Sequence, residues 1–127
     1  MALPTPAPMQ ELRALPMFDD LPAGCILHPI VDEMTMPHLK PGEFAVVDTA
    51  DRRPDPGELF VIQWIGGRRD VVRAYHPRYA PESWNVKCLN SPSADGPFRP
   101  GHLEEKLLGR VVGVFAPAFD EASLRTI

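Results

Sequence analysis

The sequence predicts a mainly β domain, a strongly coiled antiparallel sheet or partial barrel, preceded by a Pro-rich N-terminal arm. Three observations carry that expectation. Sixteen of the 127 residues are proline, against an ordinary usage of about 5%. An interior proline removes a backbone donor and clashes with the preceding turn, so long helices have little room. From Cys25 onward, short runs of Val, Ile and Phe are separated by Pro, Gly and Asp clusters, the punctuation of a β protein. Several runs are continuously apolar, such as Leu59-Phe60-Val61-Ile62, as expected for strands covered on both faces.

The elements follow in chain order. Residues 1–24 carry Pro4, Pro6, Pro8, Pro16 and Pro22 and read as an arm, in which only 9–15 could wind a brief helix. Strands are expected at 25–31, 43–48, 58–65, 70–76, 84–89 and 107–115. Lys40-Pro41-Gly42-Glu43 and Pro54-Asp55-Pro56-Gly57-Glu58 are turn sequences, in which Pro presets one dihedral and Gly supplies the next. Gly66-Gly67 signals a hairpin that makes its flanking strands antiparallel neighbours. The β-domain is therefore expected over residues 25–116. A C-terminal tail follows at 117–127, helical in flavour but too short to stand alone.

Composition narrows the function classes. Thirteen Lys and Arg against seventeen Asp and Glu give a net charge of −4, the wrong sign for a chain that neutralises phosphates, so direct nucleic-acid binding is not expected. The arm also lacks the adjacent helices and basic surface of a helix-turn-helix, since Arg13 stands against Glu11, Asp19 and Asp20. Cys25 and Cys88 read as buried reduced thiols, although one disulfide between them is possible on sequence alone. No apolar run reaches the length of a membrane span and the N-terminus lacks a secretory pattern, so the expectation is a soluble, cytoplasmic protein away from membranes. No phosphate-cradling loop is present, and Cys25 with His28 has no second pair at finger spacing; no metal or cofactor is expected.

The most informative stretch is Val31-Asp32-Glu33-Met34-Thr35-Met36-Pro37-His38-Leu39-Lys40-Pro41-Gly42-Glu43, followed by an apolar run that ends in Asp48. It resembles the catalytic β-domain of LexA, UmuD and phage repressors, and more distantly the signal peptidases, whose pattern is Gly-Asp-Ser-Met-x-Pro-x-Leu-x-x-Gly-Asp before such a strand. Pro37, Leu39, Gly42, Glu43 and Asp48 keep the register. The likeness continues through Pro56-Gly57, Gly66-Gly67, Val71-Val72-Arg73, Leu89-Asn90 and Gly109-Arg110-Val111-Val112-Gly113-Val114, and so spans about Ile26 to Phe115.

That resemblance implies peptide-bond hydrolysis by a serine whose hydroxyl is deprotonated by a neutral lysine. Here the serine position holds Met34, whose thioether has no proton to give up, and the lysine position holds Arg73, whose guanidinium stays charged. Both halves of the dyad are replaced. Lys40, Lys87 and Lys106 are the only lysines, and none stands at the base position. Thr35 carries a hydroxyl one residue beyond the nucleophile position, where its direction differs. Ala23-Gly24 looks like the bond this family cleaves, yet it lies close before Met34 and reads as a turn.

The expectation is therefore a non-catalytic regulatory or interaction module. The alternative is a self-processing or peptidase-like enzyme using Thr35 or a site that no known motif marks. Arg73 needs a counter-charge, for which Asp32 and Glu33 are the candidates, unless it snorkels to water. The resemblance further implies a homodimer, with Val111, Val112, Val114 and Phe115 as a possible dimer strand, or pairing with a partner protein such as a repressor. A groove left by the lost dyad would offer open backbone groups to an extended peptide, the arm included.

Overall fold

The computed structural model describes residues 15–116. These form one eight-stranded sheet and a short helix: β1 (Met17–Phe18), β2 (Cys25–Pro29), β3 (Phe44–Asp48), β4 (Leu59–Gln63), β5 (Arg69–Tyr75), β6 (Trp84–Lys87), β7 (Asp95–Phe98), α1 (Pro100–Lys106) and β8 (Leu107–Phe115). Neighbours along the path β2-β3-β8-β4-β5-β6-β7 are all antiparallel, and its two ends do not pair, so the sheet is not closed. β1 adds to β8 in parallel, with Met17 opposite Val114 and Phe18 opposite Phe115.

All six expected strands are present, and β8 has the expected bounds. The Gly66-Gly67 hairpin joins β4 and β5, where both glycines hold the positive φ that a tight connection requires. Three elements were not anticipated. β1 lies within the expected arm, β7 is a largely exposed end strand, and α1 begins on Pro100, whose fixed φ suits the first helical position. Lys106 in its last turn complements the negative end of the helix. The brief helix expected at 9–15 and the tail at 117–127 lie outside the described residues, apart from Leu15 and the end of the domain at Ala116.

The continuous apolar runs have a physical cause. Leu59 and Val61 of β4 pack with Ile30, Leu39, Val47 and Val71 on one face of the sheet, while Phe60 and Ile62 pack with Val72, Trp84, Val86 and Leu103 on the other. Successive side chains point to opposite faces, so a strand with a core on both sides must be apolar throughout. Leu103 of α1 is fully buried in the second cluster, which stabilises the docked helix by about 2 kcal/mol.

Two register shifts bend the sheet around β8, one in its pairing with β3 between Val46 and Val47 and one with β4 between Val61 and Ile62. An unpaired extra residue increases local twist. The backbones come very close here: a Cβ on Gly109 would meet the Asp48 carbonyl, and one on Gly113 would meet the Phe18 ring. Among the described residues no helix is long and apolar enough to cross a membrane.

Gly109→Ala is therefore expected to destabilise the fold by about 1–3 kcal/mol, because the obstacle is backbone that cannot swing aside. Gly101→Ala, in the first turn of α1 with open space around it, should be neutral or stabilising by up to about 1 kcal/mol. Urea unfolding of the two variants checks both, and equal effects would contradict the packing described for β8.

Candidate functional site

The curl brings the end of β2 over β5, although three strands separate them along the path. Between them lies a groove of about 400 Å³, lined by His28 to Asp32, Met34, Thr35, Gly67, Arg69 to Val71, and Cys88. Both walls have an open side. β2 pairs only with β3, and β6 pairs with β5 only at Arg73 to Tyr75, which leaves Arg69 to Val72 paired on the β4 side alone.

The turn that carries Met34 is built by local hydrogen bonds. The Asp32 carboxylate accepts from the Met34 amide at 3.0 Å, an Asx-type turn. The Met36 amide donates to the Glu33 carbonyl at 3.3 Å, and the Leu39 amide to the Thr35 carbonyl at 3.1 Å. Asn90, beyond β6, fastens this turn to the sheet. Its side-chain amide donates to the carbonyls of Glu33 at 2.6 Å and Met36 at 3.2 Å, while its backbone amide donates to the Met34 carbonyl at 3.0 Å. The sequence pattern includes Leu89-Asn90 but assigns it no role; only the fold brings it against a turn more than fifty residues earlier.

Met34 reaches the groove beside Val71 and Cys88. Arg73, two residues beyond Val71 on the same face of β5, lines an adjoining depression with Tyr75, Lys87, Cys88 and Leu89. Cys88 thus borders both spaces. Neither Asp32 nor Glu33 forms an ion pair with Arg73 among the described residues; Arg68 pairs with Asp70 and Arg110 with Asp51. The carboxylate of Asp32 is turned back on its own backbone, and Glu33 is held through its carbonyl.

Thr35 is buried, and its hydroxyl donates to the Leu39 carbonyl at 3.3 Å within the turn. That bond commits the proton to structure. Cys88, to which the sequence pattern assigns no role at the site, places a thiol in the groove. Burial raises its pKa above the ordinary thiol value, and the carboxylates of Asp70, Asp32 and Asp95 add to this against a smaller opposing effect of Arg68. The thiol therefore stays protonated and weakly reactive. Cys25 and Cys88 are both free, and no group of three or more His, Cys, Asp or Glu is arranged to hold a metal among the described residues.

His28, which the sequence offers only as an incomplete metal pair with Cys25, is half-buried at the groove wall. Burial lowers its pKa from the ordinary 6.5, Arg69 lowers it further and Asp70 partly opposes. Of the possible dimer strand, Val111 and Val114 are buried in the core, whereas Val112 and Phe115 are partly exposed. β8 is central, and its edges are taken up by β3 on one side and by β4 and β1 on the other.

Two outcomes follow. Asn90→Ala should cost about 1 kcal/mol and speed amide hydrogen exchange at Met36 and Leu39 well before it affects β4 or β5. Uniform exchange changes would mean that Asn90 does not fasten the turn. The unfolded His28 binds its proton near 6.5 and the folded one only at lower pH, so the unfolded state holds more protons in that window, and stability falls as the pH drops through it and levels off once both states are protonated. His28→Gln should flatten this part of the urea-midpoint profile; an unchanged slope would assign the effect elsewhere.

Comparison with protein-family models returns no match, and no curated protein matches the chain.

Proposed function

We propose that this chain is a non-catalytic relative of the LexA-type β-domain that works as an interaction module, receiving an extended peptide segment in the groove between β2 and β5. The observation that carries this reading is the pair of open strand sides on either wall of one groove, with an apolar floor between them. An extended segment entered there finds unpaired main-chain groups for affinity and the side chains of Met34, Ile30 and Val71 for selectivity. The positions that correspond to the family dyad supply a thioether and a permanent cation, the Thr35 hydroxyl is spent on the Leu39 carbonyl, and the Cys88 thiol is held protonated. Binding without bond cleavage is what such a set of groups supports.

As a module of this type the chain acts in the cytoplasm, consistent with two free thiols. Its partners in this reading are a second copy or a regulatory protein such as a repressor, which links it to transcription without contact to DNA. β8 is enclosed by its neighbours, so a second copy would meet this strand through the half-exposed Val112 and Phe115 side chains rather than by strand addition.

Two measurements test the proposal. The intact mass should stay unchanged through prolonged incubation at a pH of about 10, where even an unperturbed lysine base begins to lose its proton; fragments that vanish in Thr35→Ala would replace the proposal by the self-processing alternative. Selection from a random peptide display library should return extended peptides whose affinity drops about tenfold or more in Met34→Arg, which crowds the groove with a charge. Selected peptides indifferent to that change would place binding outside the groove.

A further inference from the structure

The depression beside the groove holds an unanswered charge. Arg73 and Lys87 stand directly opposite one another in the antiparallel pairing of β5 and β6, so both side chains leave the same face and repel. They line a space of about 260 Å³ together with Tyr75, Cys88 and Leu89. The Nε of Arg73 is buried without a hydrogen-bond acceptor. Arg110 shares that description, but its Nε lies 2.9 Å from the Asp51 carboxylate. Arg73 has no carboxylate within ion-pair distance among the described residues.

A buried guanidinium donor is retained at a cost unless something answers it. We propose that the Arg73–Lys87 depression is a carboxylate-binding site, which takes the side chain of an Asp or Glu on an extended segment running out of the groove. The planar guanidinium presents paired donors that match the two oxygens of a carboxylate, Lys87 adds a point charge, and the Tyr75 hydroxyl is a further donor. Cys88 and Leu89 line its less polar side. The existence of the site stands on these groups; only the peptide as carrier of the carboxylate rests on the reading of the groove given above. Two carriers share this chemistry, an acidic residue of a partner peptide and Glu11 of the same chain, whose described part begins at Leu15 on the same core cluster as Leu89.

The Nε–Hε resonance of Arg73, assigned by its loss in Arg73→Lys, reads the site directly. Titration with N-acetyl-glutamate amide at constant ionic strength should move this signal saturably, while N-acetyl-glutamine amide leaves it in place. In Lys87→Met the midpoint should rise about tenfold, with the backbone amide spectrum showing that the variant is folded. If Glu11 already fills the site, the unliganded signal stands at the bound position, and Glu11→Gln releases it and restores the titration. That result supports the site and identifies the carrier. Absence of a glutamate-specific shift in both the original chain and Glu11→Gln overturns the proposal, as does an unchanged midpoint in Lys87→Met. Neither failure touches the groove, whose peptide binding is read separately through Met34→Arg.

Discussion

Strand β8 accepts neighbours along both edges, and two of its nine residues have to be glycine for them to come near enough. Gly109 admits the Asp48 carbonyl from β3, and Gly113 admits the Phe18 ring from β1. Because β3 and β4 each shift register where they flank this strand, the sheet bends sharply about its centre. The bend is what makes residues from a terminal strand and from one four places along the path share a wall. A flatter sheet built from the same strands would have two cores and no groove.

Chemistry at the groove is shaped by what each polar group has already been given to do. Asp32 and Asn90 spend their hydrogen-bonding capacity on the turn, and Thr35 spends its hydroxyl there too. The Asp32 carboxylate is held by the Met34 amide and Glu33 by its backbone carbonyl, and neither is paired with Arg73. The result is a hydrogen-bonded rim over a mostly apolar floor, flanked by cations at Arg69 and Arg73.

Much of the sheet was legible in the sequence because burial on two faces leaves an uninterrupted apolar run, and Pro and Gly mark its ends. β8 and the Gly66-Gly67 hairpin show this most clearly. What escaped detection lacked that signature. β7 reads Asp95-Gly96-Pro97-Phe98 and looks like a loop, since as a terminal strand it need bury little. Helix α1 is too short for a periodic pattern, and its start on proline resembles a turn until Leu103 is seen to dock. Met34, Thr35 and Arg73 were singled out only through the resemblance to a family pattern. The direction of the Asp32 carboxylate and the approach of Asn90 depend on contacts between distant parts of the chain, and no local pattern encodes those.

The parallel clasp of Met17 and Phe18 on the end of β8 also has a protective side. Trimming of the chain through Phe18 by a protease would strip the backbone of Val114 and Phe115 of its cover on that edge, and would leave the hollow over Gly113 empty. The molecule would then present a bare hydrogen-bonding ladder beside an aromatic side chain, the kind of template on which strands of other molecules stack.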